Sequence, residues 1–107
     1  MRLLVRKDDG LCVYASAAAV VLDVEALDAE SSLREIYDES GRRYRIEWLD
    51  PNRKLSIIGI PLGASNGVYR LVPEETPDLP GLLALLRDPE WPLEHRALVA
   101  SLIADLG

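Results

Sequence analysis

The chain is poor in the residues that most often carry chemistry: one cysteine and one histidine in 107 residues. A lone cysteine, Cys12, excludes an internal disulfide, and a single thiol in a small chain fits a reducing compartment. One cysteine and one histidine also cannot close a zinc site, so no metal centre is expected. Long apolar runs are missing too. The longest, Ala17 to Leu22, falls far short of the ~20 residues that span a bilayer. The opening Met1-Arg2-Leu3-Leu4-Val5 is cut off by Arg6-Lys7-Asp8-Asp9 and does not read as a secretory signal. Repeats, linkers and low-complexity segments are also lacking. Together these absences predict a cytoplasmic protein with no membrane contact.

What is present fits one domain spanning 1–107. The chain is 49% hydrophobic and 28% charged, too apolar for a disordered polymer. A domain of this size buries roughly 65% of its unfolded surface and folds without metal or disulfide. Lys+Arg totals 12 against 18 for Asp+Glu, a net charge of −6. That field repels nucleic-acid backbones and anionic lipid at long range.

Three turns carry hairpin chemistry. Asp9-Gly10 separates Leu3–Lys7 from Leu11–Tyr14, and Asn66-Gly67 separates Ile60–Leu62 from Val68–Val72; both dipeptides suit type I′ loops. The second loop predicts Leu62 across from Leu71. Asp38-Glu39-Ser40-Gly41 fits a three-residue loop. With Asp38 opposite Arg42, Ile36 faces Tyr44 and Glu35 faces Arg45, an apolar and an opposite-charge pair. The next strand alternates: Tyr44, Ile46 and Trp48 on one side, Arg43, Arg45 and Glu47 on the other. Asp50-Pro51-Asn52-Arg53 reads as a type I turn. Leu55–Ile60, apolar on both faces, reads as the central strand.

Residues 26–40 are ambiguous. Ser32 and Glu35 have capping-box spacing, and Ala26, Ala29, Leu33 and Ile36 recur at helical spacing. The cross-strand charges favour the hairpin, with a helical turn near 24–31 left open. After Val72 prolines punctuate the chain. Asp78-Leu79-Pro80 starts a helix that Asp88-Pro89 stops, and Pro92 starts a second, capped by Gly107. The expected fold is α+β. An antiparallel sheet of roughly five to seven strands fills 2–74, with hairpin or meander connections, curling toward a half-barrel around 55–60. Two helices at 78–88 and 92–106 pack on it.

Candidate chemistry is sparse. His95 has no sequence neighbour placed to work with it, since adjacent helix residues do not face each other. Cys12 needs a cation to become nucleophilic, and Arg6 across the hairpin is its only candidate. The Gly63–Gly67 segment lacks the lysine and helix of a phosphate loop. Asp8-Asp9 and Glu74-Glu75 read as solvated turn charges, since no loop around them offers calcium its six to eight oxygens. These absences lean against an enzyme, and neither a catalytic set nor a cofactor is assigned. The leading expectation is a non-enzymatic domain that binds another protein or a second copy of itself, as a homodimer. Trp91, Leu98 and Leu102 at the edge of the last helix would form the contact patch. The alternative is a small-ligand binder whose pocket, between sheet and helices, holds an anion on Arg45 or Arg70. A third expectation is single-stranded nucleic acid on the stretch Arg42-Arg43-Tyr44-Arg45, with Trp48, Arg53 and Lys54 nearby. It is weakened because Tyr44 and Trp48 point away from Arg43 and Arg45.

Overall fold

Strand β1 (Leu3–Lys7) is the wall that both halves of the core share. The computed structural model describes residues 1–57, 60–65 and 67–106, with only the backbone course given for 53–57 and 60–65. After β1 come β2 (Gly10–Tyr14), α1 (Ala17–Asp23), α2 (Ala26–Ser32), β3 (Leu33–Asp38), β4 (Tyr44–Asp50), β5 (Arg53–Ile57), β6 (Ile60–Ser65) and β7 (Val68–Pro73). Then α3 (Leu79–Leu86) and, after a 3-10 turn at Leu93–His95, α4 (Arg96–Leu106) complete the fold.

The class is α+β with antiparallel sheets, as the sequence predicts, but the described strands form three sheets in the orders β2-β1-β3, β4-β7 and β5-β6. A single curling sheet centred on 55–60 is therefore not what forms. The central strand is β1, and Leu3, Leu4 and Val5 are 1%, 0% and 0% exposed. Strand alternation splits them between two cores. Leu3 and Val5 join Ile36, Val20 and Val24 of α1, Ala26 and Ala29 of α2, and Tyr69 and Leu71 of β7. Leu4 joins Leu11, Tyr37, the α3 leucines Leu82, Leu85 and Leu86, Trp91 and Val99. Side chains of the two C-terminal helices thus join one face of the three-stranded β2-β1-β3 sheet, which meets in part the expectation of two helices on a sheet of five to seven strands.

Several local expectations shift. The first hairpin pairs Lys7 with Gly10, so its loop is Asp8-Asp9, one residue earlier than the Asp9-Gly10 of the sequence reading. The Asp8 N–H donates to the Ser32 carbonyl at 3.0 Å, which holds Asp8 out of the β1–β2 ladder. Gly10 then opens β2 at φ 140, a region open to glycine. Helix α1 replaces expected sheet: Ser16 caps it by accepting from the Ala19 N–H at 3.2 Å, and three alanines follow. Residues 26–40 are both things in turn, helix to Ser32 and strand from Leu33. Leu71 pairs with Ile46, not Leu62, because β7 lies against β4 while β6 pairs with β5. The Asn66 half of the predicted Asn-Gly loop, Ile58 and Gly59 of the 55–60 run, and the Gly107 cap lie outside the described residues.

Asp78 caps α3, accepting from the Gly81 N–H at 3.0 Å, with proline in the first turn. Arg6 Nη1 reaches Asp88 Oδ2 at 2.8 Å, tying β1 to the segment after α3. The Glu90 backbone N–H, and after it Arg6, hold the Asp88 carboxyl below the usual aspartate range.

Leu4→Ala removes the only β1 side chain in the second core, and should cost about 3 kcal/mol in urea unfolding with an unchanged slope. Because the Asp88 pKa is depressed in the folded state, its contribution is full above the unfolded value near 3.8 and fades as pH falls through the folded value. Asp88→Asn should therefore be less stable than the parent at pH 7, and the gap should close in urea titrations below that range.

Candidate functional site

The turn between β3 and β4 is built on one buried carboxylate. Asp38, 3% exposed, accepts from the Ser40 N–H at 2.9 Å, the Ser40 hydroxyl at 2.5 Å and the Arg42 N–H at 3.2 Å, all through Oδ1. Its Oδ2 accepts from the Tyr44 hydroxyl at 3.1 Å. Gly41 sits at φ 92 and returns its N–H to the Asp38 carbonyl at 3.1 Å. The Asp38 N–H then donates to the Arg42 carbonyl at 3.0 Å, and Tyr37 bridges to Arg43. This is the register expected from the sequence.

The ladder goes no further. Among the described residues, β3 pairs along its length with β1, and β4 with β7. Glu35 meets Arg6, 3.6 Å from its Nε, instead of Arg45. Arg45 turns to Glu47 at 3.8 Å. Ile36 faces Val5, and Tyr44 faces Pro73, instead of facing each other. The backbone directions follow from the bonds that do form. Asp38 points its N–H at β4, and Arg43 gives its carbonyl to the Glu74 N–H at 2.8 Å on the β7 side. Alternation then turns the amide and carbonyl of Ile36 toward β4, and those of Tyr44 and Ile46 toward β3, where the Tyr37–Arg43 bridge directs the Tyr44 N–H at the Ile36 carbonyl. A bulge opposite Arg6 breaks the alternation at Arg34, whose N–H turns to β1. Two strand edges thus face each other without closing.

Between them opens a cleft of about 280 Å³, lined by Leu33, Arg34, Ile36 and Glu74 and by the β4 side from Arg43 to Ile46. Leu33, Tyr44 and Ile46 reach it as half-buried side chains packed on the first core. Arg34 is held by Asp8 at 2.6 Å. Arg43 lies over the Tyr37 ring, 5.9 Å from its centroid. Past Arg45 and Glu74 a second hollow, about 480 Å³, continues over Pro73, Glu75 and Thr76.

A second cavity, about 290 Å³, lies at the other end of the sheet, lined by Lys7, Asp8, Asp9, Asp23, Val24, Asp28 and Ser32. Beside it the Tyr14 hydroxyl donates to Asp23 Oδ2 at 2.5 Å and accepts from Lys7 Nζ at 3.1 Å. Burial, and then the Asp23 carboxylate, push the Tyr14 pKa up, so the phenol stays protonated and is no base. Burial also pushes the half-buried Cys12 thiol up, outweighing its hydrogen bond with Tyr14 and the Lys7 charge. Cys12 pairs with Val5, so the cation nearest it is Lys7 and not Arg6. No group of three or more metal-ligating side chains occurs among the described residues.

The residues singled out from sequence are scattered. Arg45, 57% exposed, lines the cleft. Arg70 stands on β7 with Nη2 and Nε at 2.6 and 3.1 Å from Glu47 Oε1, so the two arginines share an acid, not a pocket. Trp91 is 3% exposed and donates its indole N–H to the Leu85 carbonyl at 2.9 Å. Expected at a surface, it is an anchor of the second core. Leu102 is half-buried against that same core, and Leu98 is half-buried on α4. His95 lies edge-on to Trp91 with Glu94 at 3.6 Å. Sequence reasoning missed Arg34 and the open edges beside it. The available signal was that Arg6 and Arg45 both suit Glu35, and only one can have it.

Native Cys12 should react with iodoacetamide at pH 8 at least tenfold more slowly than the urea-unfolded chain, reflecting its raised pKa and burial; equal rates would contradict that placement. Comparison with known proteins finds no family model, no curated protein and no solved structure that matches this chain.

Proposed function

We propose that this chain is a cytoplasmic, non-enzymatic protein-interaction domain that takes an extended segment of a partner along the facing edges of β3 and β4. The observation that carries the reading is the hairpin that closes through the Tyr37–Arg43 bridge and then parts, leaving the Ile36 N–H, the Tyr44 carbonyl and the backbone of Ile46 around a cleft. Strand edges of this kind recognise extended chains through main-chain hydrogen bonds, with alternate side chains entering pockets.

Other chemistry is less well supported. The protonated Cys12 and Tyr14 offer neither nucleophile nor base. Arg45 and Arg70, the arginines expected to hold an anion, both turn to Glu47 and do not converge on one pocket. A net charge of −6 disfavours nucleic acid. Among the described residues no helix is long and apolar enough to cross a membrane.

Selection of displayed random peptides on the purified protein should enrich extended sequences that protect the amides of 33–36 and 43–46 from hydrogen exchange. Residue 46 turns its N–H away from β7, so Ile46→Pro removes an edge donor while sparing the β7 ladder. It should weaken the selected peptides about tenfold beyond Ile46→Ala, with an unchanged circular dichroism spectrum. No enrichment, or equal affinities for the two variants, would sink the reading. Amide protection on the unsubstituted protein decides the matter if Ile46→Pro does not fold.

A further inference from the structure

We infer that the segment taken by this cleft is acidic on one face and apolar on the other, with carboxylates two residues apart; the inference rests on the edge-docking reading above. Arg43, bridged to Tyr37 just before β4, and Arg45 on β4 are two apart, so alternation of the extended backbone puts both guanidiniums on the same side. Tyr44 and Ile46 point to the other side, into the first core with Leu33 and Ile36. A segment laid along this edge meets two cations on one face and apolar side chains on the other.

The three arginines that line the cleft are not equally free. Arg34 is committed to Asp8 at 2.6 Å. Arg43 has only the Tyr37 ring beneath it, at 5.9 Å, and no carboxylate within salt-bridge distance among the described residues. Arg45 is 57% exposed, and its one carboxylate partner, Glu47, is 3.8 Å away and already holds Arg70 at 2.6 Å. Two under-paired guanidiniums beside open backbone edges are unusual on a chain with a net charge of −6. They are the groups best placed to bind a carboxylate with charge-assisted hydrogen bonds. Glu74 lines the same cleft, and Glu75 lines the hollow beyond it. The acidic positions of the segment therefore belong over Arg43 and Arg45, and its end over Glu74–Thr76 is neutral or basic. Charged side chains on an edge also reject unmatched strands, which gives the cleft selectivity.

The test uses three N-terminally labelled heptapeptides on a valine and threonine framework. They carry glutamate, glutamine or lysine at positions three and five, and binding is read by fluorescence anisotropy. The glutamate peptide should bind at least tenfold tighter than the glutamine peptide and the lysine peptide weakest, with the preference shrinking in 0.5 M salt. The double variant Arg43→Gln/Arg45→Gln should abolish the preference while the glutamine peptide keeps its affinity. Arg45→Gln alone should halve the preference on a logarithmic scale, which covers failure of the double variant to fold. If the glutamine or lysine peptide binds as tightly as the glutamate one, the inference falls and edge docking stands. The same holds if all three fail while displayed peptides still bind in an Ile46→Pro-sensitive way. If no peptide of any kind binds, both fall. An eight-nucleotide single-stranded RNA that binds tighter than the glutamate peptide would overturn the inference in favour of nucleic acid.

Discussion

Burial of β1 on both faces is the constraint on which the remaining structure depends. Three consecutive apolar residues, Leu3, Leu4 and Val5, are withdrawn from water together. Period-2 alternation sends them into two different cores, so each core needs its own cover. Helices α1 and α2 with the β4–β7 pair supply one, and α3 with α4 supply the other. Each fully buried leucine is worth roughly 1.5–3 kcal/mol, so neither cover is dispensable in a domain of this size. Arg6 of the same strand adds a polar tie to the second cover through Asp88 after α3, where partial burial strengthens the pair relative to a surface ion pair.

The cleft between β3 and β4 follows from that arrangement. A hairpin whose turn is as well satisfied as the one at Asp38 would ordinarily zip up along its length. Here β3 is recruited to the edge of the β1 sheet, and β4 is recruited by β7. Tyr69 of β7 in turn donates to the Val24 carbonyl at 2.6 Å and so anchors that pair to the end of α1. Asn52 holds the other end of β4, its side-chain amide donating to the Ala26 carbonyl at 2.7 Å and accepting from the Gly67 N–H at 2.7 Å. The strands therefore share a turn but belong to different sheets. Twist accumulates differently in each, and the edges part.

Much of this was legible one element at a time. The Asp38–Arg42 register, the β1–β2 hairpin to within one residue, and both C-terminal helices follow from turn residues, caps and alternation, all of which are local. What was not legible is choice among partners. Glu35 suits Arg45 as well as Arg6, and Leu71 suits Leu62 as well as Ile46; only long-range packing decides. Helix α1 was missed for another reason. Its alanine-rich run carries a weak amphipathic pattern, and the Ser16 cap that starts it is only a single-residue signal. Trp91 was placed at a surface because flanking Glu90 and Pro92 suggested one. Its indole instead found a backbone carbonyl inside, where such a ring both fills space and satisfies its N–H. For the site, the arginine-rich stretch was visible, but the gap that gives it a purpose was not, because a missing ladder leaves no mark in the residues themselves.

The central position of β1 also shapes how the chain comes together in time. Arg6 and Asp88, joined in the fold, are 82 residues apart. On a ribosome β1 emerges first among the strands, and it pairs at once with β2, its neighbour in the chain. Its second face stays bare until the helices that cover it have been made, many seconds later at roughly 5–20 residues per second. Such distant pairings are slow to find because loop closure precedes their reward. From the time β3 is made until α3 and α4 follow, the β2-β1-β3 sheet thus has an uncovered apolar side, the stage at which a chaperone or a stray strand has most access to it.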